Sequence, residues 1–340
     1  MNTVPAPRTP ELVCPAGSLP ALKAAVDNGA DAVYLGLRDA TNARNFPGLN
    51  FDAREIEEGI RYAHARRRRV LLAINTYAQQ ERFATWTQAV DHAARLRADA
   101  VILADPALLD YCRRAHPELR RHLSVQASAT NPEAIAWYAR RFGVQRVVLP
   151  RVLSLAQVRQ VIANVSVEVE VFGFGSLCIM VEGRCQLSSH VTGVSPNVQG
   201  CCSPAHAVRW EETAGGRNSR LNGVLIDRYR PGEHAAYPTI CKGRYQVAGN
   251  VFYALEEPAS LNTLDILPQL LAAGVAAIKI EGRQRSPAYV AQVTRTMRQA
   301  IDACSADAGA YTPRAEWRKQ LDAVSEGTTH TLGAFYRPWQ

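Results

Sequence analysis

Lysine is nearly missing from this chain: Lys23, Lys242, Lys279 and Lys319 are the only lysines among 39 basic residues, and the rest are arginine. No stretch of 18 residues is both apolar and free of charge. Leu261 to Ile280 comes nearest, but Asp265, Pro268 and Lys279 interrupt it, which excludes a spanning helix. The opening residues, MNTVPAPRTPELV, have no apolar core and no small-residue cleavage site, so we expect a soluble, unsecreted, cytoplasmic protein. Neither GxGxxG nor GxxxxGK[ST] follows an early strand pattern, which weakens a nucleotide-binding fold. HExxH and GxSxG are absent as well, leaving no zinc-peptidase helix and no serine-hydrolase elbow.

What is present is globular. The 340 residues are 47% hydrophobic and 21% charged, values that exclude a disordered or collagenous chain. The length suits two domains, or one α/β barrel with insertions. The net charge of +8 suits an anionic partner such as nucleic acid or phosphate, or equally a simple preference for surface arginine. Only Arg66 to Arg69 forms a run, and it closes a helical pattern, where positive charge is stabilising in any case.

Strand-like and helical patterns alternate from the start. ELVCPA, DAVYLGL, VLLAINT, DAVILAD, HLSVQAS, RVVLPR and VEVEVFGFGS read as seven strands. Amphipathic helical stretches follow the first six, with Leu19, Leu22, Ala25 and Val26 on one face of the first, stopped at Asn28-Gly29. After the seventh, a cysteine-rich stretch intervenes, then a polar, β-leaning insertion. The rhythm resumes with a helix at Leu264 to Ala273, the strand AAIKIEGR and a helix at Pro287 to Cys304.

Eight units predict a (β/α)8 TIM-barrel-like α/β fold with a Cys-rich loop and a small β-rich insertion after strand seven; a doubly wound sheet is the alternative. We divide the chain into a flexible N-terminus (1–10), strands one to seven with the start of the cysteine loop (11–205), the insertion (206–257), the last barrel unit (258–304) and a tail (305–340).

Chemistry in such a barrel sits at the carboxyl ends of the strands. Those ends carry Cys14, Gly36, Asn75, Asp105, Gln126 with Ser128, Arg151, Gly175 to Cys178, and Lys279 to Arg283. Asn75, Gln126, Arg151, Lys279, Glu281 and Arg283 are the catalytic or binding candidates, because together they make a polar mouth suited to an anionic, oxygen-rich ligand. Lys279, Glu281 and Arg283 alternate and share one strand face. Inside the barrel they must pair or meet ligand; beyond the strand they are solvated loop residues. Each candidate can also simply cap a helix or bond loop backbone.

Five of the eight cysteines, Cys178, Cys185, Cys201, Cys202 and Cys241, fall in loop or insertion sequence, whereas Cys112 and Cys304 sit in helical patterns and read as packing residues. The six residues between Cys178 and Cys185 argue against a zinc pair. A catalytic thiol would need a base such as His190 or His206. An iron–sulfur cluster needs four thiolates on flexible loops, and Gly173, Gly175, Gly183, Gly193 and Gly200 supply flexibility, placing iron–sulfur ahead of zinc.

EVFGFGSLC followed six residues later by CQLS resembles the signature of the collagenase-like peptidase family of unassigned catalytic type. CPAGSLPALKAAVDNGADAVYLGL, DATNARNF, SVQASATN, VVLPRVLS, SSHVTGVSPN, EEPASLNTL and KIEGRQRSPAYV extend the likeness from Glu11 to about Gln340 and resemble its ubiquinone-biosynthesis branch, without the C-terminal extension of the larger RNA-modifying members.

The resemblance implies a [4Fe–4S] cluster on Cys178, Cys185, Cys202 (in SPNVQGCCSPA) and Cys241 (in PTICKGRY), with Cys201 an extra thiol beside the third ligand. It implies oxygen-independent ring hydroxylation in ubiquinone synthesis, a heterodimer with a UbiV-like paralogue, a lipid-binding accessory protein presenting the quinone precursor, and prephenate as hydroxyl donor met by Arg151, Lys279 and Arg283. The rival readings are an RNA-base hydroxylase, a peptidase using Cys14 or Cys178, and a non-catalytic partner.

Overall fold

The computed structural model describes residues 9–45, 48–199, 201–327 and 329–337. Seven parallel strands run in chain order: β1 (Glu11–Pro15), β2 (Ala32–Gly36), β3 (Arg69–Ile74), β4 (Ala100–Leu103), β5 (Arg120–Leu123), β6 (Arg146–Val148) and β7 (Glu168–Ser176). The insertion contributes an antiparallel sheet of β8 (Val208–Thr213), β9 (Gly216–Leu221) and β10 (Val224–Tyr229). A hairpin of β11 (Arg244–Val247) and β12 (Asn250–Tyr253) follows, then β13 (Ala259–Asn262). The barrel's eighth strand is β14 (Ala277–Ile280), parallel to both β7 and β1, which closes the TIM-barrel-like cylinder.

Helices return the chain between strands: α1 (Leu19–Asp27), α2 (Ala53–His64), α3 (Phe83–Arg95), α4 (Pro106–Ala115), α5 (Pro132–Phe142) and α6 (Leu155–Asn164). Their ends are locally encoded. Ser18, Asp52, Asp105, Asn131 and Ser154 each cap a helix through a side-chain oxygen, and Asp52–Glu55 and Ser154–Gln157 form reciprocal capping boxes. Two short helices, α7 (Leu187–Thr192) and α8 (Pro196–Gln199), occupy the cysteine-rich stretch; α9 (Leu267–Ala273) and α10 (Pro287–Ala306) complete the barrel.

Two expectations change. Strand five stops at Leu123, and Val125–Ala127 form a 3-10 turn capped by Ser124, so Gln126 and Ser128 leave the strand direction. The segment read as a tail is folded, too. Here α11 (Ala315–Asp322) buries Trp317 and Leu321, and Trp317 Nε1 donates to Gln299 Oε1 of α10 at 3.0 Å. Further on, β15 (Thr329–Thr331) extends the sheet beside β13. Its three residues carry no readable alternation, and the helix shows a single apolar pair. Residues 1–8 of the expected flexible N-terminus lie outside the described residues.

The barrel interior is divided. Val13, Ala32, Tyr34, Leu71, Ala73, Ala100, Ile102 and Ala277 form an apolar half. The other half is charged. Arg146, 2% exposed, reaches Glu11 Oε2 at 2.9 Å, Glu168 Oε2 at 2.6 Å and Glu170 Oε2 at 3.3 Å; Lys279 Nζ takes the other Glu170 oxygen at 2.7 Å. Beside them His122 is buried, with neither ring nitrogen partnered among the described residues. Burial, reinforced by the charge of Arg146, pushes its pKa well down, so it is neutral. Removing one member of such a network strands buried charge. Arg146→Met should therefore lower stability by about 3–5 kcal/mol in urea unfolding at pH 7; a loss below about 1 kcal/mol would show the network to be dispensable.

Candidate functional site

The carboxyl ends of the strands surround a cavity with about 620 Å³ of space between atoms, its opening included. Asn75, Gln126, Arg151, Lys279, Glu281 and Arg283 all line it, joined by Tyr34, Arg44, Ser124 and Phe172, which sequence reasoning missed as site residues. Arg44 lies in the DATNARNF stretch, noted only for its likeness; nothing local marks Tyr34 or Phe172. Although β14 ends at Ile280, Glu281 and Arg283 stay at the mouth, because Ser176 N donates to Glu281 Oε2 at 3.3 Å and Arg283 Nη1 donates to Asn42 Oδ1 at 2.7 Å.

The cations of this mouth are not equivalent. Lys279 is neutralised by Glu170 and stands 3.8 Å from the Tyr34 ring centroid; burial nonetheless pushes its pKa down. Arg151 stacks 4.4 Å from the Phe172 ring, donates from Nε to Glu182 Oε1 at 2.7 Å and bonds the Ser176 carbonyl. Burial disfavours its charge, but Glu182, Cys178 and Glu281 together more than offset this and the pKa rises. Arg283 is 5% exposed and, among the described residues, has no carboxylate within ion-pair distance; burial lowers its pKa to about 10. Gln126 Oε1 is buried with no hydrogen-bond partner among the described residues. An anion entering the cavity would supply what Arg283 lacks.

Other strand-end residues do ordinary work. Asp105 caps α4, accepting from Ala107 N and Leu108 N, and also accepts from Ala78 N. Gly36 lets the Asn42 side chain approach, since a Cβ there would stand 2.3 Å from Asn42 Nδ2. Cys14 lies in the outer core and accepts from Thr294 Oγ1 at 3.2 Å; burial raises its pKa to about 12, a thiol and not a nucleophile at neutral pH. Cys112 and Cys304 are also buried in that core, as expected of packing residues.

The cysteine-rich loop lies over this mouth. Ser128 Oγ donates to Glu182 O at 2.7 Å, and Gly183 (φ +85) packs so closely that a Cβ would stand 2.3 Å from Gln126 O. Gly175 (φ +126) faces the Glu281 side chain in the same way. Cys241 is held from the far side, its carbonyl accepting from Glu256 N at 3.2 Å, and Asn197 Nδ2 donates to Cys185 O at 2.8 Å.

Burial, together with negative charge on Cys178, Cys202 and Cys185, raises the Cys241 thiol to about 12. Burial also lifts Cys178 to about 11. The four expected thiols thus share one neighbourhood. Cys201 stands next to it, acting on Cys202. Arg44 acts on Cys201 and Cys202, and Cys178 on Arg151, so the thiols and the cavity have two arginines in common. Among the described residues, no three His, Cys, Asp or Glu side chains converge closely enough to hold a single ion. Gly200 lies outside the described residues. No described helix is long and apolar enough to cross a membrane.

An eight-stranded parallel barrel with a thiol-bearing loop across its mouth defines a TIM-barrel-like α/β protein. The chain belongs to Peptidase family U32, whose model matches residues 17–338. It is 31% identical over 328 residues to tRNA hydroxylation protein P1 of Bacillus subtilis (strain 168), covering 95% of this chain and 70% of that one. It is 31% identical over 318 residues to tRNA hydroxylation protein P of Escherichia coli (strain K12), covering 87% and 69%. Against a collagenase of Porphyromonas gingivalis (strain ATCC BAA-308 / W83) the identity is 30% over 328 residues, covering 92% and 70%. Among solved structures, that of the U32 peptidase Mk0906 is similar at a TM-score of 0.42 and 19% identity, over 51% of this chain and 72% of that one.

The burial of three thiols predicts their chemistry. In native protein at pH 8, iodoacetamide should leave Cys14, Cys112 and Cys304 unmodified by mass spectrometry, and should reach them after denaturation. Rapid native alkylation of Cys14 would revive it as a nucleophile.

Proposed function

We propose that this chain is an iron–sulfur protein of oxygen-independent hydroxylation and, more narrowly, a UbiU-like subunit acting on the ring of a ubiquinone precursor together with a UbiV-like paralogue. The observation that carries the reading is that Cys178, Cys185 and Cys202 all act on Cys241, while Cys178 also acts on Arg151 in the cavity wall. The donor set fits a [4Fe–4S] cluster. Each thiolate of a cluster binds a different iron, so the four need not meet at one point as zinc ligands must. Raised thiol pKa values in one buried neighbourhood are costly for free thiolates and are relieved by a cationic metal core.

Such a cluster supplies one-electron transfer. The chain's own residues then bind and orient. Arg283 offers an unneutralised guanidinium to a carboxylate, the role suited to prephenate as hydroxyl donor. Lys279 and Glu170 form a paired floor, Tyr34 and Phe172 give apolar faces for a ring, and Asn75 and Gln126 offer neutral hydrogen bonds. The lipid-binding accessory protein would present the hydrophobic precursor at this mouth, in the cytoplasm.

A second reading, RNA-base hydroxylation, is favoured by the names of the relatives and by the charge of +8. Tight RNA binding that weakens steeply with salt would support it.

Purified anaerobically, the chain should carry about four irons and four sulfides. These should be lost in Cys178→Ala, Cys185→Ala, Cys202→Ala and Cys241→Ala but kept in Cys201→Ala. Zinc in place of iron, or a colourless protein under strict anaerobiosis, would overturn the redox reading. Arg283→Met should hold its iron and its melting temperature, because the guanidinium has no ion pair to lose. It should nevertheless weaken prephenate binding by about 10–100-fold in calorimetry, the worth of one charge-assisted pair; unchanged affinity would remove Arg283 from the site.

A further inference from the structure

The segment between β7 and α7 carries Cys178 and Cys185, and its two charged residues behave in opposite ways. Arg184 is exposed, whereas the Glu182 side chain is 4% exposed and points into the barrel mouth. One Glu182 oxygen pairs with Arg151 Nε at 2.7 Å; the other is buried with no hydrogen-bond partner among the described residues. Arg151 comes from the end of β6 and is itself only 6% exposed. A carboxylate taken out of water with half its lone pairs unmet is stable only beside its counter-charge.

We propose that Glu182–Arg151 is the latch that holds the cysteine loop closed over the cavity, and that Arg151 is therefore a positioning residue for two of the four thiols as well as a wall of the cavity. The two partners are unequal. Without Glu182, Arg151 keeps the Ser176 carbonyl, the Phe172 face and the opening of the cavity. Without Arg151, Glu182 is left as an unpaired buried charge, and the loop reaches solvent for it only by lifting Cys178 and Cys185 away from Cys202 and Cys241. The cavity wall and the thiol group then stand or fall together, which links whatever binds Arg151 to the state of the thiols. The iron readout of this idea rests on the cluster proposed above; the loop readout does not.

The test uses the full chain, purified anaerobically, as wild type, Arg151→Met, Glu182→Gln and the double variant. Two rates are measured: trypsin cutting after Arg184 under native conditions, and iron release to bathophenanthroline disulfonate. Arg151→Met should raise both by about ten-fold or more, Glu182→Gln by less than about three-fold, and the double variant should return to within about three-fold of wild type, since it buries no lone charge. Wild-type rates in Arg151→Met, or a double variant as fast as that single one, would overturn the latch. Should Arg151→Met fail to fold, Arg151→Gln makes the same comparison, and wild-type cutting there is equally fatal. A wild type without iron would sink the cluster reading alone, with the trypsin comparison still deciding the latch.

Discussion

Glu170 has no exposed surface, and its two oxygens are divided between Arg146 on the side of the strand starts and Lys279 on the side of the mouth. The charged half of the barrel is organised around this one carboxylate. A parallel barrel is ordinarily filled with branched apolar side chains; here the apolar filling covers half the interior, and a ladder of alternating charge takes the remainder. The arrangement is tolerable because Arg146, Glu170 and Lys279 each have a partner of opposite charge. It also fixes what the mouth can offer, since Lys279 arrives there already neutralised from beneath.

The cavity inherits that asymmetry. Of its buried cations, Lys279 answers to Glu170 and Arg151 to Glu182, while Arg283 bonds the Asn42 amide oxygen, stands 5.6 Å from the Tyr34 ring and, among the described residues, has no carboxylate within ion-pair distance. Electrostatic complementarity toward an anion rests on the Arg283 guanidinium, with Arg44 also in the wall. Aromatic walls and neutral amides surround it, a combination suited to a small ring-bearing carboxylate more than to a phosphodiester backbone.

The thiol neighbourhood is assembled from segments far apart in the chain. Lys242, next to Cys241, bonds Glu326 at 3.0 Å, and Glu326 also accepts from Ser176 at the end of β7 at 2.7 Å. Burial works against the charge of Glu326, yet Lys242 and Ser176 hold its pKa below the usual carboxylate value. The C-terminal segment thus ties the insertion to the root of the cysteine loop. Ala207, Val208, Leu221 and Ile226 of the insertion pack with Val191 of α7, giving the same region a small apolar centre of its own.

The eight βα units were legible in the sequence because their causes are local: period-two and period-3.6 patterns, a capping side chain at Ser18, Asp52, Asp105, Asn131 and Ser154, and a glycine at Gly143 where α5 ends. The crowding of five cysteines was legible in the same way, as was the polar character of the strand ends. The six polar candidates drawn from those ends do line the cavity, whereas Tyr34, Arg44, Ser124 and Phe172, which complete its wall, were not legible. Nor was the bonding of each strand-end residue legible: Asp105 caps a helix while Arg151 pairs with Glu182 at the site, because orientation depends on what each meets. Arg283 meets Asn42 from 241 positions away, Lys279 meets Glu170 across 109, and Glu326 reaches Ser176 across 150. Local pattern determined the elements and the polar strand ends; the pairing of buried charge over those distances, possible only once the barrel has closed, decided which of those residues are neutralised and which is left to meet a ligand.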